Sequence, residues 1–527
     1  MKRNNLTTAV IAGIAGVAGV ANMANAVNLN PDGLGQVLIF PYYTVNGGNN
    51  TLISVVNTHN EGKAVKVRFL EGYNSREVLD FNLYLSPYDV WTATLFSLDE
   101  SGVGNLVTDD TSCTVPAIRT NTGLKQLPPP DNRRYAEFLT YAFDGQLGGY
   151  GDPSGEDSGP TNAARTREGH FEMIEMGVVV NGPVNNLPAK NTLAAITHVP
   201  GGSPSVPKNC AQVEAAWTGG YWGDGTDSVA VNHDITAPTG GLFGSASIIQ
   251  VAKGIINAYN ADAIDGFRTL SYHTFPGDLL PSIADAQTSA TYATSYVFDN
   301  GDLIISDYPL SDPNGGPSQG IDAVSSLFMA DAIYNEYGVS SSIGAASEWV
   351  VTLPTKRFYV DPGITSTVIA PFTELFGGVV DGRSCFRIDL SPYDREENRP
   401  TGTVIFSPPP PTGVNTLCYE SQVLTFGQSG SSSAVLGSKL ISNVPTNYQS
   451  GWLRLGLTGT VATPHRMRPS ADGNVFHGLP VAGFLSQSLI NANAVQGVLA
   501  NYSGLFRHRV SRSCTTTTPA PSGAVCS

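Results

Sequence analysis

The clearest alternation of apolar and polar positions lies between residues 35 and 96. Val65, Val67 and Phe69 alternate with Lys66 and Arg68, and Leu79, Phe81, Leu83 and Leu85 alternate with Asp80, Asn82 and Tyr84. This is the period of two expected from strands with one wet face, and it predicts two strands on the skin of a sandwich. Leu52-Ile53-Ser54-Val55-Val56 is apolar on both faces and lies between Gly47-Gly48-Asn49-Asn50 and Asn57-Thr58-His59-Asn60, which predicts a central strand between two turns. Ser86-Pro87-Tyr88-Asp89 interrupts the ladder because Pro87 has no donor, and Trp91, Ala93 and Leu95 resume it. The same four residues recur as Ser391-Pro392-Tyr393-Asp394, again after a strand-like run. Either two β units are related or one turn is reused.

Leu127-Pro128-Pro129-Pro130 reads as the end of this first unit, since consecutive prolines favour an extended connection. A less regular region follows, with a strand predicted over residues 171–180 and a hairpin or short helix around Lys253-Gly254. The best helix pattern covers residues 322–337: Asp322 caps it, Val324, Leu327, Phe328, Met329 and Ile333 form an apolar side, and Gly338 stops it. From Glu348 the strand pattern returns in residues 349–353, 357–360, 367–370, 421–426, 452–457, 483–489 and 498–502. The expected fold is therefore mainly β: two immunoglobulin-like β-sandwich units, at residues 27–130 and 348–512, flanking a looped middle region at 131–347 with at least one short helix. A Thr/Pro tail at 513–527 closes the chain.

Composition agrees, since only 14% of residues are charged and Gly is abundant at 57 residues, a balance poor for helical bundles. Met1-Lys2-Arg3, the small apolar run from Ala9 to Ala21 and Ala24-Asn25-Ala26 read as a signal peptide over residues 1–26, with Val27 first in the mature chain. That run is shorter than the roughly 20 apolar residues a membrane span needs. The chain is thus expected to be exported to the periplasm, the cell surface or the extracellular space, with no transmembrane anchor after cleavage. Six cysteines, Cys113, Cys210, Cys385, Cys418, Cys514 and Cys526, suit an oxidising compartment. Six cysteines allow 15 pairings; their distribution along the chain favours Cys113 with Cys210, Cys385 with Cys418 and Cys514 with Cys526. Loss of Lys2 and Arg3 takes the formal charge from −15 to −17, which argues against nucleic acid as a partner. Lys439, Arg454, Arg466, Arg468, Arg507, Arg509 and Arg512 against Asp472 alone give the end of the chain about +6 and leave about −23 for the rest. That asymmetry suggests head-to-tail contacts between copies.

Gly35-Gln36-Val37-Leu38-Ile39-Phe40-Pro41-Tyr42-Tyr43, the run from Asn57-Thr58 to Arg68, and the ending Gly478-Leu479-Pro480-Val481-Ala482-Gly483-Phe484 to Arg507-His508-Arg509 resemble a group of uncharacterised exported and cell-surface proteins of Gram-negative bacteria. The resemblance implies export and a surface role, and it brings no catalytic motif.

No Gly-x-Ser-x-Gly elbow, His-Glu-x-x-His helix or phosphate-cradling loop occurs, and Gly33-Leu34-Gly35 has Leu38 where a dinucleotide fingerprint needs its third glycine. Calcium is the one metal the pattern suggests, at Asp224-Gly225-Thr226-Asp227 and Asp299-Asn300-Gly301-Asp302. Neither has EF-hand spacing, and acidic turn residues otherwise serve as Asx-turns. The basic strings His465-Arg466-Met467-Arg468 and Arg507-His508-Arg509 suit either an anionic ligand or a solvated edge. The expected function is a non-catalytic secreted or cell-surface structural or binding protein that contacts itself, surface components or glycans. The alternative is a secreted polysaccharide hydrolase using paired carboxylates beside aromatics such as Trp217, Tyr221 and Trp222.

Overall fold

The computed structural model describes residues 26–145, 157–183, 190–222 except 203, 233–311, 318–377, 380–398, 415–517 except 429, 447, 492–494, 496 and 499, and residue 526. The predicted signal peptide up to Asn25 lies outside the described residues. So do Asp224 and Asp227.

The chain runs through β1 (Val27–Leu29), β2 (Val37–Thr44), β3 (Asn50–Asn57), β4 (Gly62–Glu71), β5 (Glu77–Leu85), β6 (Val90–Phe96), β7 (Asn105–Val107), β8 (Cys113–Val115), β9 (Lys125–Gln126), β10 (Arg134–Glu137) and β11 (Glu168–Val179). Helix α1 (Cys210–Thr218) follows, then β12 (Ile235–Thr236), β13 (Leu242–Gln250), β14 (Ile255–Asn260), β15 (Asp262–Asp265), β16 (Tyr292–Asp299), β17 (Asp302–Pro309) and α2 (Gly320–Phe328). The last part holds β18 (Ala332–Gly338), β19 (Ala345–Thr352), α3 (Arg357–Val360), β20 (Asp389–Asp394), β21 (Ser421–Phe426), β22 (Ile441–Val444), β23 (Ser450–Gly456), β24 (Ala482–Leu489), β25 (Tyr502–Arg507) and β26 (Arg509–Ser511).

The protein is mainly β. Its first sheet has the order β17-β16-β1-β15-β2-β11-β4-β5-β8 with β12 beside β11, and its second the order β14-β13-β3-β6-β7-β10-β9. Leu38, Val67, Phe69 and Phe171 of the first sheet meet Ile53, Val55, Trp91 and Leu95 of the second in one core. The C-terminal part holds a sheet β20-β23-β18-β26 and a sheet β22-β21-β19-β24-β25. Trp349, Val351, Leu424 and Leu485 of the latter pack with Leu453, Leu455 and α2 in another core. Its opposite side, Val350, Val423 and Phe484, enters the core of the first pair of sheets. One sheet buried on both faces explains why Trp349-Val350-Val351 carries no polar alternation.

The strand expectations of the first unit are inverted. All ten residues of β4 are buried, Lys66 and Arg68 included, while β3 alternates and leaves Leu52 39% exposed. The first sheet is an inner layer: residues 267–285 cross the face that carries Lys66 and Asn82, and Asn82 donates to Thr274 O at 2.9 Å. The second sheet is the outer one. The expected boundaries also fall inside sheets. Pro128–Pro130 sits in the connection between β9 and β10, which pair antiparallel with Gln126 opposite Arg134, so donor-free prolines occupy a hairpin loop where no ladder bond is lost. β11, from the supposed irregular middle, lies between β2 and β4.

Other local expectations change similarly. The helix predicted to Tyr337 stops at Phe328, and Ala332–Gly338 becomes β18 because it pairs with β23 and β26. Residues 357–360 form α3 and not a strand, and residues 367–370 are outside any strand. Lys253-Gly254 is the predicted hairpin, with Gly254 at φ +61°. The two Ser-Pro-Tyr-Asp strings differ: Ser86–Asp89 is a turn in which Asp89 accepts from the Ser86 amide, whereas the second lies within β20. They do not mark one repeated structural element.

Candidate functional site

A cavity of about 730 Å³ opens at the mouth of the first sandwich, between β5 of one sheet and β9–β10 of the other. Residues 115–124, 139–142 and 275–279, the outer part of α1 and Arg357 close it. Leu79, Phe81, Ile118, Tyr135, Trp217 and Phe275 make much of its apolar lining. The disulfide Cys113–Cys210, with Cα atoms 5.2 Å apart, ties the first residue of α1 to β8. It thereby fixes the helix that brings Glu214, Trp217 and Thr218 to the cavity. Trp217 is held from behind: its Nε1 donates to Tyr84 Oη at 3.0 Å, and its ring lies 4.6 Å from that of His273 and 5.2 Å from that of Trp222. Burial, and then Lys66, lower the His273 pKa to about 3, so this ring is neutral packing material at ordinary pH.

The polar wall comes from β5. The β4–β5 register pairs Phe69 with Leu79 but Leu70 with Glu77, leaving Val78 as an inserted residue. Such a bulge reverses the alternation, and it places Glu77 and Asp80 on the same face, three residues apart. Both line the cavity. Arg68 Nε donates to Glu77 Oε2 at 2.7 Å, Arg68 Nη1 to Glu172 Oε1 at 2.5 Å, and Lys66 Nζ pairs with Asp80. The Gly277 amide also donates to Asp80 Oδ2 at 2.8 Å. Burial, and then the Asp80 carboxylate, raise the Glu77 pKa, with Arg68 and Lys66 opposing. Around the rim, Lys125 and Glu137 form a 2.7 Å pair, Arg357 is engaged by Asp361 at 2.9 Å, and Glu214 is exposed.

Of the aromatics singled out in the sequence, Trp217 lines the cavity, while Tyr221 and Trp222 stand behind it. Glu77, with Asp80 in its chemical role, was missed. The signal was present: Val78-Leu79 doubles an apolar position in an otherwise alternating run, the mark of a bulge.

The other candidate sites resolve differently. Asp299 and Asp302 are partners across a two-residue Asn300-Gly301 hairpin turn with both central φ angles positive, at 50° and 96°, a geometry that explains the sequence without a metal. Among the described residues no group of three or more His, Cys, Asp or Glu side chains is placed to hold a metal ion. His465 is buried with Nδ1 2.7 Å from Leu457 O, and Arg468 pairs with buried Asp322 at 2.7 Å. Arg507 pairs with Asp262, and Arg454 with Asp389 at 3.5 Å. His508 lies 2.9 Å from Val350 O, and burial lowers its pKa to about 4. These basic strings are largely consumed inside the chain. Cys385–Cys418 is a disulfide, and Cys526 is placed against Cys514 as the expected third pair. Among the described residues no helix is long and apolar enough to cross a membrane.

No family model, no curated protein and no solved structure matches the chain.

Proposed function

We propose that this chain is an exported, non-catalytic binding protein of the cell surface or periplasm, in which immunoglobulin-like sandwich units serve as scaffold and the cavity of about 730 Å³ receives an apolar small molecule. The cavity carries the reading. Its volume falls in the range of ligand pockets, roughly 300–1,000 Å³, and its few polar groups amid apolar and aromatic walls match their chemistry. The signal peptide expected from the sequence, together with the disulfides, supports export. Because Arg454, Arg468 and Arg507 already have partners within the chain, the reading rests on the cavity and not on head-to-tail assembly.

The neutral apolar dye N-phenylnaphthylamine tests it. Its emission rises on addition of the oxidised protein, and Ala117→Trp, which fills the cavity from a half-buried lining position, abolishes the rise. A wild-type protein that leaves the dye dark overturns the reading. The glycan-hydrolase alternative draws on Glu77 and Asp80 beside aromatics, although each carboxylate has a basic partner; turnover in a glycan screen that is lost in Glu77→Gln would establish it.

A further inference from the structure

We infer that the cavity recognises a protonated amine carrying an apolar or aromatic body, an inference that rests on the binding reading above and names its ligand class. The first observation is the charge of the polar wall. Asp80, Arg68 and Glu172 stand side by side across β5, β4 and β11, with Lys66 and Glu77 flanking them. Of this row Glu77 and Asp80 line the cavity, while Lys66, Arg68 and Glu172 stand behind them. The lining as a whole sets the carboxylates of Glu77, Asp80, Glu137 and Glu214 against the bases Lys125 and Arg357. From residues 267–285, which cover this face, Asp285 adds a further negative charge and Arg268 a positive one.

The second observation is which charges are already engaged. Each base of the cavity lining has a carboxylate, Lys125 with Glu137 and Arg357 with Asp361, and so have the two bases behind the wall, Lys66 with Asp80 and Arg68 with Glu77 and Glu172. An anionic head group would meet no uncommitted cation and would face Glu77, Asp80 and the rim carboxylate Glu214. A neutral head group gains only ordinary hydrogen bonds. An ammonium group balances the excess carboxylate, donates charge-assisted hydrogen bonds to it, and can rest against the faces of Trp217, Tyr135 or Phe275.

The third observation is the division of the cavity. The bulge at Val78 gathers the carboxylates on one wall, while Ile118, Leu124 and Leu279 belong to the apolar remainder. A ligand with one charged end and one apolar end satisfies both parts at once.

Competition against N-phenylnaphthylamine at pH 7 with decylamine, decanol and decanoate tests the inference. Decylamine displaces the dye about tenfold more tightly than decanol, and decanoate is weaker than both. Glu77→Gln combined with Asp80→Asn brings decylamine down to decanol, read as the ratio of the two displacement constants in the same protein so that any change in dye affinity cancels. Equal binding of amine and alcohol, tighter binding of decanoate, or a preference that survives the double variant overturns the amine inference while the dye signal keeps the cavity reading intact. Absence of the dye signal instead removes the underlying reading. If the double variant does not fold, the pH dependence of the wild-type protein decides: the preference for amine over alcohol declines as Glu77 is protonated on acidification, whereas the alcohol's own affinity holds. A preference unchanged through the whole acid range in which the protein stays folded counts against the inference.

Discussion

Glu168 of β11 and Glu348 of β19, one from each half of the molecule, grip the same loop. Glu348 accepts the amides of Val435 and Leu436 at 2.8 and 2.9 Å, and Glu168 accepts the Lys439 amide at 2.7 Å together with the hydroxyls of Ser438 and Tyr42. Both side chains are fully buried, and burial raises both pKa values. Each carboxylate is a hub whose removal strands several donors. Glu348→Ala and Glu168→Ala are each expected to cost about 2–4 kcal/mol, since a buried donor left without its acceptor costs about 1–3 kcal/mol. Because they hold one loop, the double variant should lose less than the two single losses together. Urea titration of the wild type and the three variants measures this.

The ion ladder across β5, β4 and β11 predicts a contrast between inner and outer pairs. Glu172→Ala leaves Arg68, whose side chain is 4% exposed, short of one carboxylate in the interior. Breaking a buried pair on one side typically costs about 3–5 kcal/mol. Lys125→Ala, which removes the exposed pair with Glu137, should change stability by less than about 1 kcal/mol. Equal effects in thermal melts would contradict the inner-layer placement of β4.

Stability should show a minimum near pH 8. Glu420 is wholly buried, and burial, opposed by Lys356, raises its pKa to about 8. The folded state therefore holds a proton that the unfolded chain releases above pH 4.5, and this group's contribution falls as pH rises through that window. Lys356 is the mirror case: burial, opposed by Glu420, lowers its pKa to about 8 from 10.5, so between these values the unfolded chain holds the extra proton and stability rises with pH. The limiting slope for one proton is about 1.4 kcal/mol per pH unit. Glu420→Gln should flatten the acid-side limb and Lys356→Met the alkaline one, as read from denaturation midpoints across pH.

Reduction should act on the cavity before it acts on the whole fold. Cys113–Cys210 closes a separation of 97 residues, worth about 4–5 kcal/mol in the chain-entropy model, and it anchors the helix bearing Trp217. Cys113→Ser with Cys210→Ser is expected to lower the melting temperature and weaken N-phenylnaphthylamine binding. The pair Cys385→Ser and Cys418→Ser, away from the cavity lining, should lower the melting temperature alone.

The Asp299–Asp302 turn offers a direct test of the calcium alternative. Gly301 has open space around it but φ of +96°, so Gly301→Ala should cost about 1 kcal/mol through backbone strain alone. Calcium or a chelator should leave the melting temperature of both proteins unchanged. A calcium-dependent rise that disappears in Asp299→Asn would assign a metal to the turn.

The mainly-β fold and several strand positions were legible in the sequence because a strand writes its period of two locally. Around Lys253-Gly254 the sequence left a hairpin and a short helix open, and the antiparallel pairing of β13 with β14 decides for the hairpin, joined by a single 3-10 turn at Val251–Lys253 that ends on Gly254 at positive φ. The pairing of Cys113 with Cys210 was favoured by the distribution of the cysteines, but only the fold, which brings their Cα atoms to 5.2 Å, selects it from the 15 possible pairings. Which alternating strand faced water was not legible. Lys66 and Arg68 look like solvent-facing residues until Asp80, Glu77 and Glu172 arrive from two neighbouring strands, because a charge is buried or exposed according to partners remote in sequence. The helix predicted over residues 322–337 broke at Phe328 for a similar reason: Ala332–Gly338 gains ladder partners from β23 and β26, and those cross-strand bonds outweigh local helix propensity. The cavity belongs wholly to tertiary structure. Residues 77–81, 115–125, 135–142, 214–218 and 275–279 meet there, and only the packing of two sheets with a helix stapled across their mouth brings them together.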